Sequence, residues 1–118
     1  RNRSIQQPPQ GITLAVITDL RYYIAMIRSF KGKAAEQVFG RVRHKGRSPD
    51  IQRAAYRKLL ILDAAASLDD LRIPPGNRLE RLGGDRAGQH SIRVNQQWRI
   101  CFRWRSGNAY DVELVDYH

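Results

Sequence analysis

Three arginines, a tyrosine and a histidine close to the end of this chain have the types and spacing for chemistry on a phosphodiester. Arg99 and Arg103 hold alternate positions of one period-two stretch, Arg93 lies in the stretch before it, and Tyr117 in the stretch after it. His118 follows as the last residue. Neighbouring strands lie about 5 Å apart, so side chains of one parity can meet at a single phosphate. Guanidinium forks match phosphate oxygens, and a tyrosine offers both a stacking face and a hydroxyl. RNA can be cut by attack of its own 2′-hydroxyl on the adjacent phosphorus. That reaction asks for a base at the hydroxyl, cations at the developing phosphorane and an acid at the leaving 5′-oxygen. Histidine has the pKa to serve as acid or base near neutrality. The pattern leaves plain electrostatic binding without turnover open.

The elements that must position these groups are three stretches of alternating apolar and polar residues. In Gln89–Asn95, Ile92 and Val94 point one way and Ser91, Arg93 and Asn95 the other. In Trp98–Trp104 the residues Trp98, Ile100, Phe102 and Trp104 share a face, with Arg99, Cys101 and Arg103 behind it. In Tyr110–Tyr117 strict alternation puts Tyr110, Val112 and Leu114 on the apolar side and Asp111, Glu113, Val115 and Tyr117 on the arginine side. Short connections, the second ending Gly107-Asn108, make an antiparallel meander with one greasy and one arginine-lined face. Asn77–Leu82 is expected as a further strand, with Gly83–Arg86 as the turn after it. Function is expected on the arginine face.

Upstream, Met26–Phe30 alternates as an edge strand would. Lys33–Lys45 reads as a helix, with Ala35, Val38, Phe39 and Val42 recurring at three and four and Gly46 to end it. A second helix starts at Ser48 as N-cap with Pro49 in the first turn, and carries the stripe Ile51, Ala55, Leu59, Leu62 and Ala66. A hairpin of these two helices must bury its stripe, and the apolar sheet face is the surface large enough. Ser67–Asn77 is expected as a linker pinned by Leu68 and Leu71. The fold class is therefore α+β.

The 118 residues make one domain and carry 21 lysines and arginines against 11 acids, a net charge of +10. That excess favours a polyanionic partner, nucleic acid before acidic protein. One cysteine, Cys101, excludes an intrachain disulfide and a cysteine-based zinc cluster, and fits a reducing cytoplasm. His44, His90 and His118 lack metal-ligand spacing. Residues 1–25 are different in character: Arg1–Gln10 is polar with Pro8-Pro9, and Ile12–Ile27 is interrupted by Asp19 and Arg21, too short for a membrane span and a poor signal peptide. Met26 is the sole methionine, so 1–25 is expected to be an extension and 26–118 the domain.

The stretches MIRSF, NRLERLGGDRAGQHSIRVNQQWRICF and the closing VELVDYH resemble the HigB-like toxins of the RelE superfamily, the killer proteins of plasmid-maintenance systems. The likeness covers Met26–His118. It implies a compact ribonuclease-toxin fold, a two-helix hairpin on a small antiparallel sheet. It also implies an enzyme that cleaves mRNA in the ribosomal A site without metal or cofactor. A HigA-like helix-turn-helix antitoxin would neutralise it, and the pair would bind operator DNA through the antitoxin. Residue by residue, the family's terminal Asp-Tyr-His falls on Asp116, Tyr117 and His118, and the arginine of its Trp-Arg pair on Arg99. The best-described members carry a histidine and a lysine where this chain has Glu80 and Gly83. Arg81 or Arg86 would then supply the missing phosphate contact; for Glu80 a surface ion pair with Arg78 or Arg81 is favoured over service as the base. Two other functions stand beside this one: gyrase poisoning by a same-fold toxin lacking the terminal groups, and a non-catalytic RNA- or ribosome-binding module.

Overall fold

The computed structural model describes residues 26–117; the expected extension 1–25 and the candidate acid His118 lie outside the described residues. Two helices, α1 (Ala34–Phe39) and α2 (Pro49–Ala64), accompany a four-stranded antiparallel sheet. Its strands β1 (Glu80–Arg81), β2 (His90–Arg93), β3 (Trp98–Arg105) and β4 (Asn108–Asp116) lie side by side in chain order. The architecture is α+β, and the meander is the one the alternation predicts.

The core forms where α2 meets the apolar sheet face. Ala55, Leu59 and Leu62 of α2 join Ile92, Ile100, Phe102, Val112 and Leu114 of the sheet in one buried cluster, with Ala35 and Val38 of α1. Burying a side chain of that size contributes about 1.5–3 kcal/mol each, which is why α2 needs little intrinsic propensity to hold. Its start is fixed as expected: Ser48 Oγ accepts from the Ile51 amide at 3.2 Å, with Pro49 in the first turn. Its end comes sooner, at Ala64, so Ala65 is buried and Ala66 exposed. Asp63, buried on the last turn, accepts both the Met26 and Ile27 amides at 3.1 Å. Met26–Phe30 is thereby held beside β4, bridging it in parallel through Ile27–Ala109 and Phe30–Val112.

Three sequence expectations need correction. The first helix is six residues rather than Lys33–Lys45. Gly40 caps it, Arg41 turns to φ 61°, and the Arg41 and Val42 amides fold back on Val38 and Gln37, the bonding of a Schellman stop. Periodicity ran past this because Val42, half exposed, happens to continue the count. The first strand does not reach back to Asn77, since Pro75–Asn77 is a 3-10 turn and Arg78 is left-handed at φ 45°. Asn77 is buried there, donating to the Leu71 and Ile73 carbonyls and accepting from Lys58. The third correction moves a side chain across the sheet. The register of β4 slips between Cys101 and Arg103, where Asp111 takes φ 52°. This bulge puts two residues of β4 opposite one of β3. Ala109 therefore faces the core opposite Trp104, and Tyr110 joins Arg103 on the arginine face.

Candidate active site

Antiparallel pairing fixes which groups share the second face. Ser91 and Cys101 are partners, as are Cys101 and Glu113, Arg93 and Arg99, and Glu80 and Ser91. Tyr117 follows β4 with its amide on the Gln97 carbonyl at 2.7 Å. Arg99 is the centre of this face and is only 8% exposed. Its Nε donates to Ser91 Oγ at 2.8 Å; its Nη2 reaches the Arg78 carbonyl at 2.7 Å, the Ser91 carbonyl at 3.3 Å and Glu80 Oε1 at 3.0 Å. A buried guanidinium needs such partners, and they also hold its plane. Nη1 is left without a protein partner among the described residues, and the guanidinium carbon stands 6.0 Å from the centre of the Tyr117 ring.

Tyr117 is 47% exposed, so part of its ring is open to solvent. Its hydroxyl lies 3.8 Å from Cys101 Sγ. Burial, followed by the bond to Cys101, raises the phenol above its ordinary pKa, so at neutral pH it is a proton-bearing group. Burial likewise pushes the Cys101 thiol up, which removes it as a thiolate nucleophile. Arg86, from the turn Gly84–Arg86, donates through Nη1 to Glu113 Oε1 at 3.1 Å and to buried Gln89 at 3.0 Å. The Glu113 bond raises Arg86 further, and Arg86 adds positive potential at Cys101 and Tyr117. Arg93 sits opposite Arg99 with its Nε on the Asn95 carbonyl at 3.1 Å. Arg103 pairs with Asp111 at 3.6 Å and lies over Gly88, where a Cβ would come within 2.8 Å of its Nη1. Gly88, at φ 89°, suits both the turn and that close approach.

The structure thus brings Arg99, Tyr117, Glu80, Arg86 and Arg93 to one face, with Arg103 at its edge. Two expected site residues stand elsewhere. Arg81 pairs with His90, whose ring stacks on Phe102 at 6.2 Å, so its parity is that of the core face. Asp116 pairs with Trp98 and accepts from Gln97 Nε2 at 3.1 Å, on the side away from Tyr117. Glu80 is 59% exposed, and its partner is Arg99 rather than Arg78 or Arg81. Sequence reasoning missed Ser91, Gln89, Glu113 and Cys101 as supports; the only available signal was their parity with the arginines. Among the described residues no group of three His, Cys, Asp or Glu is placed to hold a metal, and no helix is long and apolar enough to cross a membrane.

A face that holds cations around an exposed tyrosine is chemically suited to a phosphodiester. Toxin HigB-1 of Vibrio cholerae is 48% identical over 90 residues, 75% of this chain and 95% of the relative. Endoribonuclease HigB of Proteus vulgaris is 36% identical over 94 residues, 79% of this chain and all of the relative, and its name places endoribonuclease activity within the family. The family described as RelE-like toxin of type II toxin–antitoxin system HigB matches residues 28–118, and the chain belongs to these HigB-like toxins.

Proposed function

We propose that this chain is an endoribonuclease toxin that cleaves mRNA in the ribosomal A site, with residues 26–118 as the active unit and the two helices as a hairpin backing the sheet. The observation that carries the reading is Arg99: a nearly buried guanidinium, fixed on three sides, with Nη1 uncommitted beside the exposed Tyr117 ring. In this reading Tyr117 stacks on the nucleotide at the scissile bond and Arg99 balances phosphorane charge, helped by Arg86, Arg93 and Arg103. The 2′-oxygen bonds to phosphorus as its proton passes to a base, for which Glu80 is the candidate. The bond from phosphorus to the 5′-oxygen breaks, and His118 gives that oxygen its proton. Asp116 anchors the tail through Gln97. The products are a 2′,3′-cyclic phosphate and a 5′-hydroxyl. None of these steps uses a metal or cofactor.

A HigA-like helix-turn-helix protein is the proposed antitoxin, and operator DNA is reached only through that complex in the cytoplasm. The test compares cleavage of one message free in solution and bound in a ribosome, with and without a HigA-like antitoxin. Cuts confined to the ribosome-bound message and abolished by antitoxin are expected. Equal cutting of free RNA overturns the ribosome requirement. Binding without any cut leaves a non-catalytic module, and inhibition of gyrase with the message intact establishes the gyrase reading instead.

A further inference from the structure

The net positive charge of this protein does not reside at the sheet face. Residues 26–118 hold eighteen lysines and arginines against ten acids. Positions 41–58 alone hold seven of those bases and one acid, Asp50. Everything else from 26 to 118 is nearly balanced, eleven against nine. On the sheet face Arg99, Arg86 and Arg103 are each matched by Glu80, Glu113 and Asp111. In the connection between α1 and α2, by contrast, Arg41, Arg43, Lys45 and Arg47 have no carboxylate partner among the described residues, and neither does the exposed Arg57. Asp50 is taken by Arg53.

The connection is held in shape by its own contacts. Arg41 lies over the Tyr56 ring at 5.1 Å, Arg47 bonds Gln52 and the Val42 carbonyl, and His44 Nδ1 accepts the Gly46 amide. Arg43 and Lys45 are left pointing into solvent from an ordered loop. Because α1 and α2 pack on the apolar side of the sheet, this loop belongs to the layer opposite the Arg99 and Tyr117 face.

We propose that the 41–58 segment is a second nucleic-acid surface, one that grips the phosphate backbone of double-helical RNA while the sheet face takes a single strand. Unpaired cations on a fixed loop read phosphates rather than bases. Single-strand sites add aromatic platforms for the bases, and here Tyr56 is already covered by Arg41. Helical RNA is recognised through its backbone and shape, which this surface can do. The choice of RNA over DNA rests on the reading of the sheet face; the binding of a polyphosphate helix does not.

The probe is a fluorescent RNA duplex, titrated with the full chain and with Arg43→Ser/Lys45→Ser/Arg57→Ser over a series of salt concentrations. These three side chains make no contact that the fold needs, and thermal melting checks that it is kept. The triple variant should bind the duplex at least tenfold more weakly at moderate salt. Its log–log salt slope should be shallower by about 2 to 3, close to one counterion per lost contact. Arg99→Ala should leave duplex binding within about twofold. An unchanged affinity and slope in the triple variant overturns the proposal, as does a loss on single-stranded RNA, on a DNA duplex or on a poly-glutamate peptide as large as the loss on the RNA duplex. Failure of the unsubstituted chain to cleave a ribosome-bound message, with its duplex binding intact, strikes the sheet-face reading alone.

Discussion

Replacing Ser91 by alanine removes an oxygen that is fully buried and accepts the Arg99 Nε–H at 2.8 Å. Ser91 Oγ is the acceptor of the Nε–H among the described residues, whereas Nη2 keeps its bonds to the Arg78 and Ser91 carbonyls and to Glu80. A hydrogen bond to a charged group contributes about 1.5–3 kcal/mol, and the guanidinium is too buried for water to restore it in full. Serine to alanine leaves almost no cavity, so the loss should be near that range and not above it. For a domain of this size it lowers the melting temperature by roughly 4–8 °C per kcal/mol. The same substitution loosens the plane that presents Nη1 beside Tyr117. If half of the loss is felt in the transition state, cleavage slows by about three- to tenfold, since 1.36 kcal/mol is one decade. Urea unfolding and message cleavage on the same preparations read the two effects. A Ser91→Ala variant with parental stability would mean that the serine side chain does not hold Arg99.

Glu80→Gln should cost less than about 1 kcal/mol of stability, the worth of an exposed ion pair, while a true general base would cost 10²–10⁴-fold in rate. Urea midpoints and cleavage rates measured together decide between the two roles, and an unchanged rate removes Glu80 from the chemistry. His90 has its pKa lowered by burial and then by Arg81, and its Nδ1 is buried without a partner. The unfolded chain therefore takes up the proton first, so stability is complete above an ordinary histidine pKa of about 6.5 and falls as pH drops from there toward the lowered folded value. His90→Phe, stacked on Phe102, should flatten that slope below pH 6.5; equal slopes in both proteins contradict it.

The sheet was legible because its apolar parity is carried by large residues, Ile92, Ile100, Phe102, Val112 and Leu114, whose burial outweighs local preference. The start of α2 was legible because Ser48 and Pro49 act within one turn. What escaped were features decided by backbone conformation at non-glycine residues. Arg41 and Asp111 both take positive φ, one ending α1 and the other carrying the bulge that turns Tyr110 over. No alternation rule contains a bulge, so the side of Tyr110 had to be wrong once Asp111 was inserted. At the site, parity correctly gathered Arg93, Arg99 and Tyr117. It could not tell a solvent-facing arginine from a buried one, and so missed that Arg99 is itself held in place by Ser91, Arg78 and Glu80. Arg81 and Asp116 came from likeness to a family or from nearness in sequence, and the register sets both on the other side of the sheet.

The proposed mechanism has His118 do acid chemistry on a phosphodiester set against Arg99 and Tyr117. It is tested most directly by cleavage of a ribosome-bound message with the parent chain, His118→Ala and Tyr117→Ala, with ribosome binding measured in parallel and the product ends identified. Loss of the acid should slow cleavage by about 10²–10⁴-fold with binding within about twofold, and the parent's products should end in a 2′,3′-cyclic phosphate. Cleavage by His118→Ala at the parental rate, or products ending in a simple 3′-hydroxyl, contradicts the claim.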